Sequence, residues 1–91
     1  MYKIIYTKTY IKLASRFLTK HPKIEKQYTK TLQVLELNPY HPSLRLHKLT
    51  DKREDVFSVS INIQYRITIQ FIFKEKTMIP IMVGSHDDVY K

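Results

Sequence analysis

The alternation of apolar and polar residues between Phe57 and Phe73 constrains the fold more than any other feature of this sequence. Every odd position is apolar or aromatic, and every even position from 58 to 70 is polar. A period of two predicts β-strand with one buried face. A single straight strand of this length would span about 56 Å, whereas a compact domain of 91 residues has a radius of gyration of only about 12 Å. We therefore expect the run to fold back on itself.

The alternation also predicts where the run turns. Odd residues face odd residues across an antiparallel hairpin only if the loop has an odd number of residues. We predict a three-residue loop at 62–64, in which Asn62 adopts the left-handed conformation in place of glycine. The core face then carries Phe57, Val59, Ile67 and Ile69, and an open polar face carries Ser58, Ser60, Arg66, Thr68 and Gln70.

The remaining elements follow from shorter patterns. Residues 1–7 predict a short strand, and a helix capped by Thr7 or Thr9 should end at His21. Its apolar face is Tyr10, Leu13, Ala14, Phe17 and Leu18. A second helix is predicted over 22–37, so that the two helices form an antiparallel hairpin.

The second half of the chain reads as strands separated by turns. Residues 44–49 predict a short strand, 50–55 a charged turn, and 77–84 the last strand. Pro80 indicates an edge position or a bulge in that strand, and Gly84 the place where it bends or ends. We predict a single α+β domain over residues 1–91, with the N-terminal strand and helical hairpin packed on one face of a small, mainly antiparallel sheet.

The charge balance indicates an anionic partner. Sixteen Lys and Arg residues stand against eight Asp and Glu, a formal net charge of +8. Such a field attracts a phosphate backbone, anionic lipid or an acidic protein. Basic residues spaced along both helices, namely Lys8, Lys12, Arg16, Lys20, Lys23, Lys26 and Lys30, are either a solvated helix face or a footprint on nucleic acid.

Absences narrow the function classes. The chain has no cysteine, which excludes disulfides and cysteine-based zinc sites. The four histidines lack the spacing of a metal site, and one glycine cannot build a glycine-rich phosphate loop. We expect no metal and no cofactor. Without a long apolar run or a signal peptide, we expect a cytoplasmic protein with no membrane partner.

Four residues could carry out metal-free RNA cleavage. That reaction needs a base for the 2′-OH, a cation for the phosphate and an acid for the leaving oxygen. Histidine can be base or acid near neutral pH, and the arginine fork matches phosphate oxygens. The candidate catalytic residues are His47, Arg66, His86 and Tyr90. The candidate RNA-binding residues are Arg45, Lys48, Lys52, Arg53, Ser58 and Ser60.

Three segments carry a family resemblance: LRLHKL at 44–49, DVFSVSINIQYRITIQF at 55–71 and VGSHDDVYK at 83–91. They resemble the RelE/ParE superfamily of bacterial toxin–antitoxin toxins and are most similar to the RelE/YafQ-type mRNA interferases. Within them, GSHDDVY at 84–90 looks like the family's C-terminal strand. The resemblance implies a toxin that cleaves mRNA on the ribosome, inhibits translation and is neutralised by a cognate antitoxin, which we expect to be acidic.

Carried over by position, the resemblance assigns roles to the same four residues. Arg66 matches the phosphate-contacting arginine, His86 and His47 the YafQ-type histidines, and Tyr90 the terminal aromatic that stacks on a base or donates a proton. Where these toxins carry Lys or His on the strand, this chain has Ser58 and Ser60, and their turn Asp corresponds to Gln64.

That departure leaves three readings open. In the first, His47 and His86 share the proton transfers. In the second, the activity is weaker than is usual in the family. In the third, the chain is a ParE-like toxin that poisons gyrase and cleaves no RNA. A nucleic-acid-binding domain or a decayed toxin retained for partner binding is a further class.

Overall fold

The computed structural model describes residues 1–50 and 53–89, and in this part of the chain helices pack on a five-stranded sheet. In chain order the elements are β1 (Lys3–Ile4), α1 (Lys8–Lys20), α2 (Glu25–Leu37), β2 (His47–Thr50), β3 (Arg53–Ser60), β4 (Tyr65–Ile72), β5 (Thr77–Ser85) and α3 (His86–Val89). Single 3₁₀ turns lie at Pro22–Ile24, Pro42–Leu44 and Phe73–Glu75. None of these helices is long and apolar enough to cross a membrane.

The strand order in the sheet is β1-β5-β4-β3-β2. Only β1 and β5 pair in parallel, and the three other pairs are antiparallel. This arrangement confirms the predicted α+β class with a mainly antiparallel sheet. The first strand is shorter than the predicted span of 1–7, since only Lys3 and Ile4 pair with β5.

The β3–β4 hairpin has the predicted odd loop. Val59 faces Ile67 and Ser60 faces Arg66, and the Ile61 backbone N–H donates to the Tyr65 carbonyl at 2.9 Å. The loop is therefore 62–64, as predicted.

The predicted left-handed Asn62 is wrong, because among the described non-glycine residues only Arg45 and Lys76 have positive φ. Instead the Asn62 Oδ1 accepts from the backbone N–H groups of Gln64 and Tyr65, at 2.9 and 2.8 Å. This side-chain turn replaces the left-handed residue.

Most odd residues of the hairpin strands form the core with the two long helices, whereas Ile63 in the loop is exposed. Thr7 caps α1, since its Oγ1 accepts from the Tyr10 N–H at 3.1 Å. Tyr10 then reaches across to α2, where its hydroxyl lies 2.8 Å from the Tyr28 hydroxyl. The second helix begins at Glu25 rather than at residue 22, because Pro22 opens a 3₁₀ turn. Fully buried side chains of this core include Tyr10, Leu35, Leu44, Val59, Ile67, Ile69 and Met78.

Two predicted segments differ from the structure on the N-terminal side of the hairpin. The strand predicted at 44–49 begins only at His47, because Leu44 belongs to a 3₁₀ turn and Arg45 is left-handed, with φ 47° and ψ 50°. The charged turn predicted at 50–55 is shorter, because β3 already begins at Arg53.

The last strand behaves as its two special residues predicted. Thr68 faces Met82 whereas Ile69 faces Pro80, so Ile81 is the extra residue of a bulge. The strand ends at Ser85, one residue after Gly84. The chain then turns into α3, which packs against β4 and β5. The prediction of a strand through 84–90 is wrong for 86–89.

The face of the sheet opposite α1 and α2, called the second face below, is less open than its polar residues led us to predict. Ser58 and Thr68 are buried there, and Arg66 is only 7% exposed. Gly84 is the register partner of Arg66 and lies against the Asp88 side chain, so α3 covers part of this face. The alternation correctly predicted which residues share this face, but it contains no information about the helix that covers part of the face.

Candidate functional site

Arg66 lies on β4 with its guanidinium held by three oxygen atoms. Its Nε donates to the Ser58 hydroxyl at 3.0 Å, and its Nη2 donates to the carbonyls of Arg45 and Ser58, at 2.9 and 3.3 Å. The side chain is almost wholly buried. A planar fork fixed by bonds at two of its nitrogens has little freedom to rotate. Arg66 is thus a cation of defined orientation on the second face of the sheet.

His47 lies beside this guanidinium on the neighbouring edge strand. It is the register partner of Ser58, so both side chains are on the Arg66 face. Its Nδ1 lies 3.0 Å from the Arg45 carbonyl and 3.3 Å from the Arg66 Nη2. The Arg45 carbonyl can only accept and the Arg66 Nη2 can only donate, so Nδ1 of the neutral ring can bond only one of them, and we assign its proton to the bond with the nearer carbonyl. In the neutral ring Nε2 then carries the lone pair, which is the form required of a base.

The Arg45 carbonyl joins the two candidate groups. It accepts from both Arg66 and His47, and its direction is set by the left-handed backbone of Arg45. Only the charge of Arg45 was considered in its prediction as an RNA-binding residue. The role of its carbonyl was missed, and neither glycine nor asparagine marks the position in the sequence.

His86 is positioned by a reciprocal cap at the start of α3. The Asp88 N–H donates to the Ser85 hydroxyl at 3.2 Å, and the Ser85 N–H donates to the Asp88 carboxylate at 3.1 Å. The His86 N–H donates to the Gln64 carbonyl at 3.1 Å, which ties α3 to the β3–β4 loop. A hydroxyl followed three residues later by a carboxylate is a signal for a helix start, and the sequence contained it at Ser85 and Asp88.

The structure brings His47 and Arg66 into contact and places His86 just beyond the strand pair that contains Arg66. Gly84 faces Arg66 in the register, and His86 follows two residues later. The His86 side chain is 64% exposed, and its Nδ1 lies 3.9 Å from an Asp87 carboxylate oxygen. Tyr90 lies outside the described residues.

The two serines predicted to bind RNA have structural partners. Ser58 is fully buried beneath Arg66. The Ser60 hydroxyl donates to the Asn62 carbonyl at 2.6 Å and is half-buried. The Ser58 hydroxyl is enclosed and supports the guanidinium, and its predicted contact with RNA stays a prediction.

The predicted basic contacts are divided between the two faces. Lys48 is the register partner of Phe57, which places its Cβ on the face opposite His47. Arg53 forms an exposed ion pair with Asp55 at 3.4 Å. The Gln70 amide donates to the same carboxylate at 2.9 Å, and this bond, with help from Arg53, lowers the pKa of Asp55. Lys52 lies outside the described residues.

A metal site is not formed by the side chains that the structure describes. Within 1–50 and 53–89, no group of three or more His, Asp or Glu side chains lies close enough together to hold an ion.

Comparison with known proteins gives no match to a family model or to a curated protein sequence. Solved structures do match. YafQ from E. coli strain BL21(DE3) is 13% identical, with a TM-score of 0.77 and 100% of both chains covered. YafQ in the E. coli DinJ–YafQ toxin-antitoxin complex is 14% identical, with a TM-score of 0.78 over 99% of this chain and 98% of that chain. The chain has the RelE/YafQ-type toxin fold.

A third structure extends the likeness beyond bacteria. The archaeal RelE–RelB complex from Pyrococcus horikoshii OT3 is 17% identical, with a TM-score of 0.69 over 92% of this chain and 93% of that chain. At these identities the likeness shows the fold alone. It confirms the fold that the resemblance implied, and the roles of His47, Arg66, His86 and Tyr90 stay predictions.

Proposed function

We propose that this chain is the toxin of a type II toxin–antitoxin pair and that it inhibits translation by cleaving mRNA on the ribosome. The observation that carries the proposal is the contact of His47 with the Arg66 guanidinium through a shared acceptor, the Arg45 carbonyl. A base and a phosphate-binding cation side by side are two of the three groups that cleavage through the 2′-OH requires.

The proposed reaction assigns one role to each group. The Nε2 of His47 removes the proton of the 2′-OH, whose oxygen attacks the adjacent phosphorus. Arg66 stabilises the charge that develops on the phosphate oxygens. His86, in its protonated form, gives a proton to the leaving 5′-oxygen as the P–O bond breaks. The products are a 2′,3′-cyclic phosphate and a free 5′-hydroxyl, and Tyr90 is proposed to position the RNA or assist the acid.

The partner proposed to silence the toxin is an acidic antitoxin. Two of the similar structures are toxins in complex with their antitoxins, DinJ and RelB. The present chain carries a formal net charge of +8, which favours a negatively charged chain that folds on binding. The proposed functional partners are thus the antitoxin, mRNA and the ribosome.

Substitutions at His47 and Arg66 test the nuclease directly. After induction in cells, we expect His47→Gln and Arg66→Lys to lower transcript cleavage by about 100-fold or more, the usual contribution of an acid–base or charge-stabilising group. Lysine keeps the charge but lacks the fork. Primer extension on reporter transcripts, with and without translation, measures the cuts. Lys74→Ala, in the exposed Phe73–Glu75 turn, is the matched control.

The result that contradicts the proposal is toxicity that does not depend on these residues. DNA damage without transcript cleavage, unchanged in both variants, would identify a ParE-like gyrase poison instead. Thermal unfolding of each variant separates loss of chemistry from loss of fold, because Arg66 is also bonded to Ser58 and Arg45.

A further inference from the structure

A second cleft lies next to the candidate site but is not part of it. It has a volume of about 420 Å³ and lies between α2, the Pro42–Leu44 turn and the end of β3. Binding sites for small molecules begin at about 300 Å³, so the space is sufficient for one nucleotide. His41 and Lys30, which the proposed reaction does not use, both line it.

The walls of this cleft suit a planar base. Val34, Leu44 and Ile61 supply apolar surface, while Gln27 offers an amide with both donor and acceptor atoms. The Ser43 backbone N–H donates to the His41 Nδ1 at 3.1 Å. A backbone N–H can only donate, so the neutral His41 ring carries its proton on Nε2. The Nε2–H group is then a second donor besides the Gln27 amide.

The charge of the cleft favours an anion. Lys30 is the one permanently charged side chain among the described residues that line it, and none of those residues is acidic. A lysine ammonium binds phosphate as a point charge. A ligand with a flat ring and a phosphate therefore fits better than an uncharged apolar molecule.

The cleft adjoins a second one on the side of Arg45. A smaller cleft of about 190 Å³ shares Ser43, Ser60 and Ile61 with the first and is also lined by Arg45. Arg45 is the residue whose carbonyl holds Arg66 and His47, and Ser60 is the register partner of Arg66. The two clefts together extend from Lys30 to Arg45, which borders the candidate site.

We infer that the larger cleft binds one nucleotide of the single-stranded RNA whose cleaved phosphate lies at Arg66. The base packs on the apolar wall and bonds to Gln27 and His41, and Lys30 binds a phosphate of the same strand. This assignment rests on the proposed nuclease function and adds to it a place where the enzyme can read a base near the cut.

Nucleotide binding to the full chain tests the cleft without using cleavage. AMP, CMP, GMP and UMP are titrated and followed by NMR, with inorganic phosphate as a reference. We expect Lys30→Ala and Gln27→Ala to weaken nucleotide binding at least tenfold. Lys26→Ala removes the same charge from the same helix outside the cleft, and we expect it to have little effect. Equal losses from Lys26→Ala and Lys30→Ala, or phosphate binding as tight as nucleotide binding, would overturn the inference.

A second measurement distinguishes RNA from a free nucleotide and separates the two proposals. A short oligoribonucleotide should bind at least tenfold more tightly than the mononucleotides, and Arg66→Lys should remove that gain. Equal affinity for both overturns RNA as the source of the ligand. If transcripts are not cleaved but the cleft binds the oligonucleotide as described, the nuclease function fails alone. If cleavage is observed and Gln27→Ala changes neither binding nor the base preferred at the cut, the cleft assignment fails alone.

Discussion

At the scale of single residues, Arg66 shows how a charge can be buried beside a reactive group. Moving a guanidinium out of water is costly unless its N–H groups are bonded. Here the Ser58 hydroxyl and two backbone carbonyls accept from it. A lysine at position 58 would place a second positive charge against the guanidinium. Ser58, a departure from the family pattern at the sequence level, is thus a small neutral acceptor that this position of Arg66 requires.

In contrast to the hydrogen-bonded Arg66, Thr68 has a buried hydroxyl with no acceptor or donor among the described residues. It lies between Ser58 and Met82 in the sheet register and is buried. We expect Thr68→Val to raise the free energy of unfolding by about 1 kcal/mol, because the desolvated hydroxyl is removed. Urea denaturation measures the change.

The matched variant for this position is Thr68→Ser. It keeps the hydroxyl and removes the methyl group, so it should lower the free energy of unfolding instead. A valine variant that is no more stable than the parent chain would show that the hydroxyl has a partner in solution.

At the scale of elements, the β3–β4 hairpin was predictable because the alternation of apolar and polar residues also restricts the length of its loop. The alternation fixed which residues share a face, and the parity of the loop fixed the turn at 62–64, as the register shows. The bulge at Pro80 was predictable for a similar reason, since proline cannot donate to the neighbouring strand. The periodicity of a strand and the covalent geometry of proline are local properties that do not depend on tertiary contacts, so they can be read from the sequence.

The elements that position the candidate site were harder to predict. The left-handed Arg45 has no residue-type signal, because the turn and the two bonds to its carbonyl hold it there against the usual preference. The contact of His47 with Arg66 depends on that turn and therefore could not be read from spacing. The cap of α3 had a signal at Ser85 and Asp88, but the strand interpretation of 84–90 overrode it.

Gly84 controls the position of α3, and its substitution tests that control. A Cβ atom added there would lie 3.1 Å from the Asp88 Oδ2 and 3.2 Å from its Cβ, closer than side chains normally approach. We expect Gly84→Ala to displace Asp88 and break the reciprocal cap with Ser85. Hydrogen exchange at the Asp88 amide, which donates to the Ser85 hydroxyl, should become faster by about fivefold or more, as for the loss of about 1 kcal/mol at a cap.

Ile81→Ala on the same strand is the control for this experiment, since Ile81 is the exposed residue of the bulge. It should leave exchange at the Asp88 amide unchanged. Equal exchange rates in Gly84→Ala and the parent chain would mean that the cap does not depend on close contact with Gly84.

At the scale of the whole molecule, the sheet separates a packed core from the face that carries the candidate site. The core side is closed by α1 and α2, and the second face is only partly covered by α3. The fold class could be predicted because the apolar residues of the strands and helices recur with the periods of those elements. The degree to which the second face is covered did not, because it depends on how α3 returns over β4 and β5.

The buried tyrosine pair in the core makes the stability of the whole fold sensitive to alkali. Burial raises the pKa of the Tyr10 hydroxyl and that of the Tyr28 hydroxyl, whereas in the unfolded chain both ionise near pH 10. The unfolded state therefore loses protons first as pH rises. The stabilisation is complete below about pH 10 and is lost above it, by up to about 1.4 kcal/mol per pH unit for each tyrosine.

Replacing both hydroxyls should flatten this dependence. We expect the double variant Tyr10→Phe and Tyr28→Phe to lose less free energy of unfolding than the parent chain between pH 9 and 11. Denaturation at fixed pH values measures both slopes. Parallel slopes would show that these two hydroxyls do not account for the alkaline loss.

The pairing of β1 with β5 has a consequence for how the chain folds. Lys3 faces Thr77, so both long helices and the hairpin lie within the loop that this contact closes. Pairing only two residues of β1 with β5 contributes little free energy compared with the entropy cost of closing so long a loop. We expect the meander of β3, β4 and β5 to assemble first and β1 to join last. Until it does, the outer edge of β5 is unpaired, and newly made chains are most open to aggregation through that edge.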